Sequence, residues 1–386
     1  MPQTTPHAHI SGPTTGIVIS PEQLRTLPVE GDAWDDVVEA ADNSIEHAPV
    51  ASNQDDDKDV YAFAKALCVT RSPDDPAFAG YIGELLAEIA WGITPASGTY
   101  NWLAGGANTL GLSRNITSFV LAADLIGLGN LDPTLNGAFR AFLAGPLRTT
   151  VMSNRTLIST HNDRPNNWGT HAGAARLAVA AYIGDDADWA QAVRVFRGWL
   201  GDRSQYASFE WGSLSWHYDE GEPVGINPVG ATKFATDDVY DIDGVLPDDQ
   251  RRNGDLQWPP PRTAYVYEAL QGAVLQAIII HHCSRGSMGP TANPFSWSDK
   301  ALLRAYKWLD DPDRGNFIVN VDYSAQPDPE HWNDGPETDD YWQIAAVKKR
   351  HGSDASTLPA ITSGHGIGKA FGFAHWFKEA STWLAD

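Results

Sequence analysis

Residues 164–171, RPNNWGTH, gather hydrogen-bonding side chains at the mouth of an alanine-rich run, AGAARLAVAAYIGD. Asparagine is poor inside a helix and good at its N-cap, where its side chain accepts a backbone N–H two or three residues on. One asparagine fills that role, so the pair Asn166 and Asn167 is more than a cap needs. His171 follows Asn167 by four residues, which on a helix sets the two on one face, a turn apart. An amide and an imidazole stacked at a helix N-terminus, where the backbone dipole favours anions, form a seat for a carboxylate. The same spacing fits a cap followed by a structural histidine equally well.

Other constellations are weaker. In WHYDEGEP, residues 216–223, His217 stands beside Asp219, Glu220 and Glu222. Two such acids are the machinery of an inverting glycosidase, and more simply they are solvated charges or partners that orient His217. Trp211, Trp216 and Trp258 offer faces for sugar rings, or core packing. His281 and His282 are adjacent and point to different faces of a helix, which makes a poor pair of metal ligands. The later HWNDGPETDDYW and GHGIGKAFGFAHWF lack the spacing that puts two histidines on one helical face. No cofactor is required on this reading; a structural metal is compatible with it but not indicated. The chain has no phosphate-binding or dinucleotide glycine motif and no Gly-x-Ser-x-Gly elbow.

The elements that must carry these residues read as helices. DVYAFAKALCV and AFAGYIGELLAEIAW repeat apolar residues at three- and four-residue spacing, with the turn TRSPDDP between them. NITSFVLAADLIGLG, LNGAFRAFLAGPL, the WGTHAGAARLAVAAYIGD run and DWAQAVRVFRGWLGD follow. TAYVYEALQGAVLQAIIIHHC, SDKALLRAYKWLDD and GIGKAFGFAHWFKEASTWL complete the series. An Ala-rich helix, a Gly/Asp/Pro turn and a more amphipathic helix recur, the plan of stacked hairpins that bury faces no hairpin buries alone. The expected fold is all-α, a toroid or incomplete barrel of helix pairs. Strand patterns are scarce, FIVNVDY being the best. Residues 204–262 interrupt the series with Gly, Pro, Asp and aromatics, and a loop of that length inside a domain is expected to be functional. Residues 1–20 read as a flexible N-terminal arm and 21–386 as one domain.

Composition narrows the partners. The 386 residues carry a formal charge of −22, which argues against nucleic acid and anionic membrane surfaces as partners. A polyanionic substrate would then need local positive charge in its cleft. Cys68 and Cys283 each sit in an apolar run and read as buried free thiols. No secretory signal pattern is visible at the N-terminus, and no apolar run reaches the roughly 18 residues of a membrane helix. The compartment stays open.

NNWGTHAGAARLAVAAYIGD resembles the NNHGTW-type segment of the alginate lyase superfamily of polysaccharide lyases, where Asn then His opens an Ala-rich helix ending in a Gly-Asp turn. WAQAVRVFRGWL is similar to that family's next helix, and Arg262 with TAY and VYEAL resembles its Arg-containing segment leading into a helix through Tyr. The early hairpin, DVYAFAKALCVTRSPDDPAFAGYIGELL, resembles the family's first helix pair. The likeness runs from about residue 55 to 285. In the family pattern the His follows the Asn directly; here Trp168 takes that place.

The resemblance implies β-elimination on a uronic acid polymer, an anionic polysaccharide. Removing the proton alpha to the sugar carboxylate builds negative charge there. Asn167, with Asn166 or His171 and with Arg262, is the implied neutraliser. Tyr265 is the implied general acid, with Tyr267 in reserve, and the base is either Tyr265 or His217. Apart from the resemblance, Trp168, Trp216 and Trp258 are the expected sugar contacts, with core packing as the alternative. A glycoside hydrolase on the same helical frame and a non-catalytic carbohydrate-binding protein are the alternatives.

Overall fold

Alanine and glycine let helices approach closely, and the two most central helices are built from them. The computed structural model of the chain describes residues 16–52, 57–106, 108–261, 263–283, 293–311, 314, 342–361 and 372–385. The longer helices are α1 (Asp32–Ala41), α2 (Lys58–Arg71), α3 (Tyr81–Gly92), α4 (Thr109–Leu125), α5 (Pro133–Ala144) and α6 (Leu157–Asp163). They continue with α7 (Asn167–Ile183), α8 (Asp186–Trp199), α9 (Tyr265–Cys283), α10 (Trp297–Asp310) and α11 (Trp342–His351). Two short antiparallel hairpins, Pro95–Ala96 with Thr99–Tyr100 and Thr232–Ala235 with Asp238–Asp241, supply strand structure. The fold is all-α in class.

Helices α4, α7 and α9 are buried on nearly every side, as inner helices must be, while α1, α5 and α8 bury one face. The inner helices lie side by side in the order α2, α4, α7, α9, and α2 and α7 each fold back on the outer helix that follows them. The caps follow the sequence. Asn108 accepts the N–H groups of Leu110 and Gly111 at 3.0 Å to start α4, and Asn166 accepts that of Trp168 at 3.3 Å to start α7. Helix α7 stops at Gly184, whose φ of +70° is a left-handed conformation that glycine adopts without strain.

The closest approach in the inner layer is between α7 and α9. A Cβ on Gly272 would sit 2.5 Å from the backbone of Thr170 and His171, so only a glycine fits. Gly272→Ala is expected to force these helices apart and to destabilise the protein by about 1–3 kcal/mol. A denaturant midpoint equal to that of the wild type would contradict the packing.

The chain's two described ends meet. The side-chain amide of Gln23 donates to the Thr382 carbonyl at 3.0 Å, the Trp376 indole to that of Pro28 at 3.1 Å, and His375 Nε2 lies 3.2 Å from Asp36 Oδ2. Residues 17–19, expected to belong to a flexible arm, are instead wholly buried: the Ile17 N–H donates to Asp124 Oδ2 at 2.8 Å, and the Trp383 indole to the Val18 carbonyl at 2.9 Å. Three consecutive β-branched apolar residues explain why this stretch docks. The region expected to be a long C-terminal helix is helical only at Ala374–Phe377 among the described residues, with turns after it. Its Phe373, Trp376, Phe377 and Trp383 are buried without a single apolar stripe. FIVNVDY lies outside the described residues. Cys68 and Cys283 are buried free thiols. Among the described residues, no helix is long and apolar enough to cross a membrane.

Candidate active site

The N-terminal turns of α4, α7 and α9 open at the same end of the inner layer. One carboxylate joins them: Glu268 Oε2, in the first turn of α9, accepts from Asn167 Nδ2 at 2.6 Å and from an Arg114 guanidinium N–H at 2.6 Å. The side chain of Arg114 is 1% exposed and that of Glu268 12%, so the pair roots in the core and reaches the surface only at the carboxylate. From the interrupting segment, the single helical turn Pro247–Gln250 brings Asp249, whose Oδ1 accepts the Asn167 backbone N–H at 3.0 Å. Burial, and then the charge of Asp248, push the Asp249 carboxyl well above the usual range.

The two asparagines thus divide their work. Asn166 is the cap. Asn167 is a buried tie between helices and insert, and its Oδ1 has no hydrogen-bond partner among the described residues. His171 lies one turn along α7, as its spacing requires, but it is buried beneath α9 and presents nothing to solvent. A buried position against the α9 backbone, not one open to a carboxylate from solvent, is what α9 makes of it.

Tyr265 is the first residue of α9 and half-buried. The exposed Arg252 lays its guanidinium over the phenol ring, 3.7 Å from the centroid. At the mouth of α7, Arg164 does the same to the half-buried Trp168 at 5.5 Å. These two cations stand apart. Every other described arginine has an acidic or carbonyl partner within hydrogen-bond or ion-pair reach, whereas Arg164 and Arg252 make neither kind of contact among the described residues. Burial lowers the Arg164 pKa most, the charge of Arg155 next; Glu210 and Asp248 act against them, and Arg252 adds a smaller lowering. In a chain of net charge −22, two guanidinium groups without a direct ion pair are chemically suited to meet an anion.

His217 is elsewhere. It lines a cavity of about 340 Å³ with Arg203, Arg304 and Asn227, which neither Asn167 nor Tyr265 lines. The ring is fully buried, edge-on to Trp211 at 4.9 Å, and neither nitrogen has a hydrogen-bond partner among the described residues. Burial lowers its pKa to about 4, so the ring is neutral in neutral solution. An unfolded His titrates near ~6.5, so the unfolded chain takes up this proton first, and the stability that His217 contributes above that pH is lost as pH falls. His217→Gln is therefore expected to reduce the slope of thermal midpoint against pH between ~6.5 and ~4, leaving the part due to buried His161 and His375 and half-buried His351. An unchanged slope would contradict a buried neutral ring.

The remaining expected contacts are mixed. Trp216 is fully buried with its indole N–H on the Gly254 carbonyl at 2.9 Å, and Tyr267 is fully buried one residue pair beyond Tyr265, so neither offers a face to a sugar. Trp258 is half-buried and stacks on Tyr240 at 4.3 Å with planes 12° apart. Arg262 lies outside the described residues. Asp219, Glu220 and Glu222 are exposed; Glu220 pairs with Lys233 at 2.9 Å, and Asp219 accepts the N–H groups of Gly221 and Glu222. Asp219 and Glu222 line the same cavity as His217, at its exposed side. Among the described residues no group of His, Cys, Asp and Glu side chains is arranged to hold a metal ion, and His281 Nε2 is within 3.2 Å of the Ala385 carbonyl.

Sequence reasoning passed over Arg114, Arg164, Asp249, Arg252 and Glu268. Two of these left a signal: Glu268 follows Tyr265 at helical spacing, and Arg114 is the one basic residue in an otherwise uncharged stretch of α4 up to Asp124.

Residues 47–208 match the family model described as Alginate lyase. The matched stretch holds Arg114, Arg164, the asparagine pair and Trp168, and ends before Arg252, Tyr265 and Glu268. No curated protein matches the chain.

Proposed function

We propose that this chain, which carries an alginate lyase family domain over residues 47–208, is a polysaccharide lyase that cleaves a uronic acid polymer by β-elimination. The carrying observation is that Arg164 and Arg252, stacked on Trp168 and Tyr265 at two helix N-termini, have no direct ion-pair partner among the described residues of an acidic protein. A uronate carboxylate seated there meets guanidinium groups suited to planar, bidentate contact. As the proton alpha to that carboxylate leaves, the negative charge that builds on it is met by cations already in place.

Tyr265 is the one ionisable group of the expected acid and base candidates that reaches the surface beside these arginines. In this reading its phenolate oxygen takes the proton from the carbon alpha to the carboxylate. The bond from the neighbouring carbon to the glycosidic oxygen then breaks, a carbon–carbon double bond forms, and the phenol returns the proton to the departing oxygen. One residue serving both steps works from a single face of the sugar. With His217 buried in a separate cavity, its place in the reaction would require the insert to open. Trp168 and Trp258 are proposed as the stacking surfaces for neighbouring sugars. Asn167 enters through Glu268 and Asp249, holding the two helix mouths in register.

Mass spectrometry of a digested uronate oligomer tests the reaction type. Elimination divides the parent mass between the two products, and this is the expected result. Products that together weigh one water more than the parent would mean hydrolysis and overturn the reading.

A further inference from the structure

Tyr265 sits at the first residue of α9, where a helix has the fewest backbone bonds to hold it. Its position depends on what anchors that turn. Glu268 is three residues on, and its carboxylate is gripped from α7 by the Asn167 amide and from α4 by Arg114. Both bonds are 2.6 Å, with charge on at least one partner, the short and strong kind. Arg114 is itself fixed, being 0% exposed within the core. The clasp therefore joins residues 101 and 154 positions apart in the chain, from three helices, at the point where Tyr265 must be held.

Resting on the lyase reading, we propose that Glu268 is a positioning residue for the reaction: its carboxylate, clasped between Asn167 and Arg114, sets where the Tyr265 hydroxyl stands against the sugar. It acts through the first turn of α9 and not on the substrate, which is drawn to the arginines on the surface. A second effect follows from the charge. Glu268 sits beneath a cationic patch, so taking its charge away leaves the patch more positive and does not weaken its hold on a polyanion.

The test compares kcat and KM on a uronate polymer for the wild type, Glu268→Gln and Asn167→Ala. Glu268→Gln keeps the shape and one acceptor oxygen but gives up the charge that holds Arg114. Misplacement of a catalytic group by about 1 Å costs on the order of 100-fold in rate, so kcat is expected to fall between about 10- and 100-fold in each variant. KM is expected to stay level or fall in Glu268→Gln. The two changes break one clasp, so the double variant should lose no more than the worse single one. Unaltered kcat in a folded Glu268→Gln protein overturns the inference, as does a loss seen mainly as a raised KM. If Glu268→Gln does not fold, Asn167→Ala alone decides, since it loosens the clasp without orphaning a buried charge. A wild type that yields no unsaturated product defeats the lyase reading instead, and the inference falls with it; an active wild type with fully active variants defeats the inference alone.

Discussion

Tyr265→Phe is expected to remove turnover while the protein remains folded and continues to bind its polymer. The substitution takes away one oxygen atom from a half-buried ring that Arg252 still covers. Nothing in the helix packing rests on that oxygen, because no hydrogen bond from the Tyr265 hydroxyl exists among the described residues. General acid–base catalysis by one side chain contributes about 10²–10⁴-fold, and a tyrosine serving both proton transfers stands at the upper end of that range. The loss should fall on kcat, with KM altered by no more than about threefold, since the carboxylate contacts belong to the arginines. Initial rates on a uronate polymer and a binding isotherm for the same polymer separate these quantities. A variant with more than about a tenth of wild-type kcat would remove Tyr265 from the chemistry.

The second large effect is expected from the cations. Arg164→Ala and Arg252→Ala should each raise KM for a polyuronate, because a hydrogen bond to a charged group is worth about 1.5–3 kcal/mol and tenfold corresponds to about 1.4 kcal/mol. The double variant should bind so weakly that rates stay linear in polymer concentration. Half-exposed charges are screened by salt, so wild-type KM should climb steeply with ionic strength and the double variant's should not. Arg252→Lys keeps a charge but loses the flat stack on Tyr265 and the fork-shaped contact, and is expected to recover only part of the loss. Salt-independent binding by the wild type would show that the patch is not where the polymer sits.

How far these features were legible in the sequence depended on whether they are local. The Ala-rich runs, the Gly-Asp turn after Ile183 and the asparagine at the mouth of α7 are written over a few neighbouring residues, and each took the expected form. The hairpin of α7 and α8 could be read directly. The expected ends of helices shifted by a few residues, as at α4, where Asn108 starts the helix several residues ahead of NITSFVLAADL. Helix α1 was missed because DAWDDVVEAA is short and acidic, with only Trp34, Val37, Ala40 and Ala41 to show its buried face.

The site itself was legible only in outline. Spacing placed His171 on the face of Asn167 correctly, but periodicity tells which residues share a face and not what covers it. Gly272 of α9 covers this one. The Arg114–Glu268 pair and the Asp249 contact to Asn167 span long stretches of sequence with no local mark. Arg164 stood inside the RPNNWGTH motif, yet what sets it apart is that no acid or carbonyl among the described residues pairs with it directly, although Glu210 and Asp248 are near enough to act on its charge.

The most direct measurement of the central claim is the absorbance of a conjugated unsaturated uronate during incubation with polymannuronate, polyguluronate and glucuronan. Elimination across a uronate leaves that chromophore at every cut. The account predicts that absorbance rises with at least one of the three polymers, and that the rise vanishes with Tyr265→Phe. New reducing ends without any rise in absorbance, on a polymer the protein binds and cuts, would contradict it.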